Sequence, residues 1–132
     1  NKYINWNDIA IYGEKKIQEY DIKATLTQKV DQLSGGNQQR LMLSLLPESP
    51  GVLLLEQPTR GLDYNSANKM WDMILDRKKN DIAIIFSSTD LDEIWDYSDI
   101  IISVSGNTIM DIENKRKLKK ENIARYVSGI ID

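Results

Sequence analysis

The sequence predicts an α/β fold, a mostly parallel sheet with flanking helices, preceded by a wholly helical segment. Two observations carry this expectation. Short apolar runs at 52–55, 82–86 and 100–104 alternate with stretches of helical periodicity, the pattern of strands joined by helical crossovers. Residues 1–48, by contrast, show helical spacing and no strand-like run.

The elements follow in chain order. From Trp6, the residues Trp6, Ile9, Ile17 and Tyr20 keep helical spacing, with Gly13 filling a gap in the stripe. Asn5 is a suitable N-cap and Asp21 marks the end, which gives about four turns. A polar bridge over 23–32 leads to Leu33, Ser34, Gly35 and Gly36, then to a second helix over 37–46. Pro47, Pro50 and Gly51 stop that helix, because proline removes a backbone donor and glycine frees the turn. The run at 52–55 is expected to be a strand buried on both faces. A helix over 65–79 places Ala67, Trp71, Ile74 and Leu75 on one side, and the run at 82–86 is expected to be a second buried strand. Leu91, Ile94 and Trp95 share one face of a short helix, and 100–104 forms a third strand. Gly106 and Asn107 turn the chain into a fourth strand over 108–112, antiparallel because a two-residue turn reverses the chain. A last helix carries Ile123, Tyr126 and Val127 inward.

Composition narrows the chemistry. The 132 residues, 41% hydrophobic and 28% charged, suit one globular domain or one large piece of a domain. A formal net charge of −3 disfavours a broad nucleic-acid footprint, so no nucleic-acid partner is expected. The chain has no cysteine and no histidine. Thiol nucleophiles, disulfides, imidazole metal ligands and His-containing triads are therefore excluded within these residues. No apolar run approaches the roughly 20 residues of a membrane-spanning helix. The opening residues lack an initiator Met and a secretory pattern, so the chain is expected to lie inside a longer polypeptide.

The most specific feature is the run Leu33, Ser34, Gly35, Gly36, Asn37, Gln38, Gln39, Arg40 at a helix start. Glycines let backbone amides approach a ligand, Ser34 offers a hydroxyl, and a helix N-terminus attracts anions. Three such residues alone equally describe a loop that merely starts a helix. The eight together resemble the signature motif of ATP-binding cassette (ABC) ATPases. The run from 52 to 55 followed by Glu56, Gln57, Pro58, Thr59, Arg60, Gly61, Leu62 and Asp63 is similar to that family's Walker B strand and D-loop, at the family's spacing. The Asn-Gln-Gln and Gln-Pro-Thr-Arg-Gly-Leu-Asp stretches most resemble the subgroup importing simple sugars or nucleosides, whose subunits commonly fuse two cassettes; this segment resembles the second. The resemblance extends to the closing segment at 121–129.

The resemblance implies a partial P-loop NTPase fold. Residues 1–48 would be part of the helical subdomain with the signature, and 49–132 the Walker B half of the RecA-like core with a C-terminal helix. It implies that Ser34, Gly35, Gly36 and Gln38 contact ATP in the opposite cassette's site, that Glu56 stands near Mg²⁺, Gln57 near the attacking water, Asp63 at the interface, and Thr89 in the place of the switch histidine. The partners implied are a second nucleotide-binding domain, membrane permease subunits and, indirectly, an extracytoplasmic solute-binding protein, with the protein peripheral on the cytoplasmic face of the membrane.

Departures from the family pattern point one way. None of the seven glycines falls in a Gly-x-x-x-x-Gly-Lys-Ser/Thr loop. Without that loop the isolated chain is expected to bind MgATP hardly at all, and core faces are expected to lie exposed or under a partner. Gln57 stands where the family has its catalytic glutamate, and an amide can orient water but cannot take its proton. Glu56 replaces an aspartate, and is disfavoured as the base because Pro58 fixes the register. Thr89 can bond a phosphate but bears no charge; helix capping by Ser88 or Thr89 is an equal account. The segment is thus expected to complete a partner's ATP site while hydrolysing poorly in its own. A non-catalytic interaction module fits the same degraded residues, and a soluble ABC ATPase fits them less well. The basic run Lys115, Arg116, Lys117, Lys119 and Lys120 is expected to be a solvated face, with anionic lipid as the alternative. Trp6, Trp71 and Trp95 are expected in the core.

Overall fold

A computed structural model describes residues 3–48, 50–78 and 82–124. They group into two compact units, Asn1–Ile85 and Phe86–Asp132.

The first unit begins with α1 (Trp6–Glu19). Its N-cap is Asn5, whose side chain accepts from the Asn7 amide at 3.1 Å and donates to the Asp8 carboxylate at 2.8 Å. An acid in the first turn suits the positive end of the helix dipole. The helix closes at Tyr20, and Asp21 takes a left-handed backbone (φ 48°) that turns the chain away. After a 3₁₀ turn (Val30–Gln32), α2 (Gly35–Leu45) starts at Gly35, with Ser34 as N-cap, two residues earlier than the sequence pattern indicates. Then come β1 (Val52–Glu56), α3 (Tyr64–Lys78) and β2 (Ala83–Ser87). β1 and β2 pair, and the Ala83 amide donates to the Gly51 carbonyl at 2.9 Å. That bond sets both strand starts at one end, as a parallel pair joined by a helical crossover requires.

Trp71, Ile74 and Met70 on α3 are the most deeply buried of the unit's apolar side chains, with Leu43 of α2 and Leu53 of β1 also buried. This agrees with the helical face expected around Trp71. Arg77, in the last turn of α3, is buried too, and its guanidinium donates to the carbonyls of Pro47 (2.7 Å) and Leu43 (2.7 Å) and to the Tyr20 hydroxyl (2.8 Å). A planar fork of donors fixed in direction holds three acceptors at separated points, whereas an ammonium reaches its acceptors from a single nitrogen. It ties together the ends of α1 and α2.

Three expectations of burial fail in this unit. Trp6 is 72% exposed and Ile9 half exposed, because only the C-terminal part of α1, around Lys16 and Tyr20, is covered. β1 buries Leu53 but leaves Val52 and Leu54 (71%) outside, and β2 leaves Ile85 outside. Side chains alternate across a strand, so one face meets the helices and the other has no covering layer among the described residues. The expectation that apolar core faces lie exposed is met at these same strands.

In the second unit, α4 (Leu91–Tyr97) leads to the antiparallel pair β3 (Ile100–Ser105) and β4 (Thr108–Asn114). The turn is the one expected: Gly106 (φ 54°) and Asn107 (φ 60°) are both left-handed, the geometry that matches strand twist. Register pairs Ile102 with Ile112, and an irregularity falls between Ser103 and Val104. Ile101 and Ile123 are buried, whereas Ile102 and Ile112 are exposed. Tyr126, Val127 and most of the closing segment lie outside the described residues. Trp95 is half-buried, with the Lys115 ammonium 5.2 Å from its ring centre. Lys120 pairs with Asp92 at 2.9 Å, so two cations of the basic run are engaged by α4.

Candidate functional site

The Ser-Gly-Gly segment starts α2. Ser34 is the N-cap residue, yet its side chain bonds no backbone amide of the helix; only its carbonyl closes the first turn, accepting from the Gln38 amide at 2.9 Å. Its Oγ accepts instead from Asn37 Nδ2 at 2.9 Å. Ser34 and Gly35 are exposed. Gly35 has no left-handed backbone, and a Cβ built on it would meet no heavy atom within 4 Å. Neither backbone geometry nor packing within this chain therefore demands glycine there, although glycine weakens a helix by roughly 0.5–1 kcal/mol relative to alanine. A residue kept small where the fold leaves room is suited to close approach by a ligand.

The turn at 57–63 packs beside this segment. A Cβ on Gly36 would come within 3.2 Å of Leu62 Cδ2, and Gln39 Nε2 donates to the Arg60 carbonyl at 3.1 Å. Gln57 takes a left-handed backbone (φ 43°) at the end of β1, unusual for a residue with an ordinary side chain. Its carbonyl accepts from the Arg60 amide at 3.1 Å, and Gly61 (φ 79°) completes the turn. Asp63 then caps α3: Oδ1 accepts from the Ser66 amide at 3.0 Å and Oδ2 from the Ser66 hydroxyl at 2.7 Å. These bonds from the Ser66 hydroxyl and amide hold the Asp63 carboxyl below the usual carboxylate range.

The structure thus brings Gly36 and Gln39 against the turn that leads to Asp63, with Ser34 and Gly35 exposed next to them in the chain. Gln38 is directed elsewhere: its Nε2 donates to the carbonyls of Val30 and Leu33, both at 3.1 Å, so its amide group fastens the preceding turn. Glu56 is exposed, and among the described residues no three acidic or imidazole side chains converge. One carboxylate fits a magnesium ion that keeps several waters and takes its remaining oxygens from substrate phosphates. Thr89 belongs to the second unit and is exposed. It does not cap α4. Asp90 does so, accepting from the amides of Asp92 and Glu93, because its longer acceptor arm sits one residue closer to the helix. Ser88 supports that cap, accepting from the Asp90 amide at 3.0 Å and donating to Glu93 at 2.7 Å.

Sequence reasoning passed over Asn37, which lies inside the motif but is not assigned a role by it. Its Oδ1 accepts from the Lys23 amide at 2.8 Å while its Nδ2 serves Ser34. The polar residue type and the position three after Ser34 were the available signal.

Solved structures agree with this architecture. The ATP-binding cassette MJ0796, in a dimeric post-hydrolysis state bound to ADP and Pi, matches with a TM-score of 0.70 at 20% identity, over 88% of this chain and 51% of that one. CbiO1 of Clostridium perfringens, part of an ABC transporter complex, matches with a TM-score of 0.67 at 22% identity, over 97% of this chain and 50% of that one. The fold is that of an ABC ATPase domain, in part. No protein-family model matches the chain. Its sequence is 32% identical over 129 residues to the ribose import ATP-binding protein RbsA of Caldanaerobacter subterraneus subsp. tengcongensis, covering 96% of this chain and 26% of the relative. The xylose import ATP-binding protein XylG of Geobacillus kaustophilus is 33% identical over 135 residues, covering 97% and 27%. The chain belongs to the family of ABC ATP-binding proteins whose members include these sugar-import subunits. It spans about a quarter of the length of those relatives.

Proposed function

We propose that this chain is the signature-bearing part of the ATP-binding subunit of an ABC importer for a sugar or nucleoside, and that it completes the ATP site of an opposite nucleotide-binding domain. Residues 1–48 then belong to the helical subdomain and 49–132 to the Walker B half of the core. The observation that carries the reading is Gly35, a helical glycine with open space around it. Ser34 beside it keeps its side chain off the helix amides, leaving them and its hydroxyl toward an incoming anion. The names of the sugar-import relatives support the solute class.

ATP hydrolysis here is in-line attack of water on the γ-phosphorus, forming one P–O bond and breaking the bond to ADP. The side chain after β1 should accept the proton of that water. Gln57 has no basic lone pair for it and can only orient the water, which costs about 100- to 10,000-fold in rate. Glu56 supplies one carboxylate toward Mg²⁺, and Thr89 can donate a hydrogen bond but no charge. The site on this chain's own Walker B side is accordingly degenerate, and the assembly hydrolyses mainly at the other site. ATP and Mg²⁺ are the cofactors of the assembly. Its partners are a second nucleotide-binding domain, permease subunits and, indirectly, an extracytoplasmic solute-binding protein, which puts the chain on the cytoplasmic face of the membrane. No helix of the described residues is long and apolar enough to cross a membrane.

The test is a pair of substitutions in the full assembly. Ser34→Arg abolishes ATP turnover, and Gln57→Ala changes it little. Equal losses contradict the asymmetric arrangement.

A further inference from the structure

We infer that Asn37 is a positioning residue that fixes the polarity of the Ser34 hydroxyl, aiming its proton outward at an anionic oxygen. The inference rests on the proposed role of Ser34 in the opposite ATP site. Its basis is a chain of hydrogen bonds in which each direction is forced by the one before. The Lys23 backbone N–H can only donate, and it meets Asn37 Oδ1 at 2.8 Å. The amide oxygen is therefore committed to Lys23, and the NH₂ group faces Ser34. An NH₂ group can only donate, so Ser34 Oγ, 2.9 Å away, accepts. The hydroxyl has a single proton, and Asn37 leaves it no acceptor on that side. The helix amides beside it are donors as well, and the Ser34 side chain bonds none of them. An acceptor for the Ser34 proton must come from outside, and a phosphate oxygen is the acceptor that the surrounding donors favour.

The first link of this chain is itself held. Asp21 pairs with the Lys23 ammonium, and its carbonyl accepts from Arg40 Nη1 at 3.1 Å. Asn37 and Arg40 lie three apart on α2, so the turn at 21–23 grips one face of the helix at two points. The Lys23 N–H is thereby presented to Asn37 from a fixed position. Sequence alone points to no such role, because Asn37, Gln38 and Gln39 are three polar residues in a row. The geometry separates their side chains: that of Gln38 fastens the preceding turn, that of Gln39 reaches the Arg60 carbonyl, and that of Asn37 bonds the Ser34 hydroxyl.

The discriminating variant is Asn37→Asp. Aspartate keeps the shape and keeps an acceptor for the Lys23 N–H, but its second oxygen accepts where Nδ2 donated. It draws the Ser34 proton inward. Asn37→Ala removes both bonds and leaves the hydroxyl free to rotate. A residue that merely tied the 21–23 turn to α2 would make aspartate the milder change. Positioning makes it the harsher one.

The experiment measures steady-state ATP turnover of the full transporter carrying Asn37→Asp, Asn37→Ala, Ser34→Ala and the two Asn37 changes on the Ser34→Ala background, with thermal unfolding of each. Asn37→Asp is expected to lower kcat/KM for ATP about 10- to 100-fold, the scale of a lost hydrogen bond to a charged group, and to fall below Asn37→Ala although it unfolds at the higher temperature. On the Ser34→Ala background the two Asn37 variants should differ by less than about threefold, the signature of coupling through the hydroxyl. An Asn37→Asp activity equal to or above that of Asn37→Ala overturns the inference, as does a full aspartate penalty persisting without the hydroxyl, which would be charge repulsion. In both cases an impaired Ser34→Ala leaves the trans-site reading standing. If Ser34→Ala turns over ATP normally, that reading falls and takes the inference with it.

Discussion

Replacing Gly35 by alanine should strengthen the fold and weaken the function at once. The added methyl meets no heavy atom within 4 Å, and the backbone at Gly35 is not left-handed, so the native conformation accepts it without strain. What remains is the unfolded state, which loses conformational freedom; such replacements stabilise by about 0.4–1 kcal/mol. In a chain of this size that is roughly 1.5–3.5 °C in melting temperature. Gly36 is the internal control: its methyl would stand 3.2 Å from the tip of Leu62, which must give by a few tenths of an ångström and cancel much of the gain. In the proposed assembly the same Gly35→Ala change places a methyl in the space assigned above to the nucleotide, and ATP turnover should fall at least about 10-fold. Thermal unfolding and ATPase measurements on one preparation read both signs. A melting temperature lowered by more than a degree refutes the open-space argument. Unaltered turnover in the stabilised variant refutes the argument that the space is kept for a ligand.

Arg77→Met should cost about 2–4 kcal/mol in urea unfolding, because it strips the carbonyls of Pro47 and Leu43 and the Tyr20 hydroxyl of a shared buried donor, and Arg77→Lys should recover little of it; a loss under about 1 kcal/mol would contradict this. Asp63→Asn should flatten the acid limb of the stability profile. The folded carboxyl sits below its unfolded value, so its contribution is present above the unfolded range near about pH 4 and disappears as pH falls through the lower folded value. Acid titration followed by far-ultraviolet circular dichroism checks it, and an unchanged slope in Asp63→Asn would show that the cap has no such linkage.

How far the sequence reaches can be judged element by element. Asn5 and Gly106-Asn107 announce α1 and the hairpin, because a cap and a turn depend on residues next to each other in the chain. The Trp71 face of α3 was equally legible, since its periodicity reports which side needs cover. Val52, Leu54 and Trp6 were misjudged for a physical reason: hydrophobicity states which side chains gain from burial and is silent on whether any layer reaches them. The site divides the same way. Ser34, Gly35, Gly36 and Asp63 are candidates from the motif resemblance alone, whereas the different partners of Gln38 and Asn37 are visible only in the fold. Successive helix residues point about 100° apart, and only the fold shows which meets Ser34 and which turns back on Val30 and Leu33. At the start of α4 the sequence offers Ser88 and Thr89 as caps, and the cap is Asp90, the next residue along.

The packing of α2 on α3 bears on how such a site can act. At their N-terminal ends the helices are joined through Gln39 to the Arg60 carbonyl and through the close approach of Gly36 to Leu62. At their C-terminal ends Arg77 of α3 holds the Leu43 carbonyl of α2. Sliding or hinging α2 against α3 breaks the buried Arg77–Leu43 bond at one end or the exposed Gln39–Arg60 bond, made to the turn before α3, at the other. Ser34 starts one of these helices and Asp63 caps the other. On the proposed trans-site role of Ser34, a displacement that brings its hydroxyl toward a nucleotide carries with it the turn that ends at Asp63, 29 residues away in sequence.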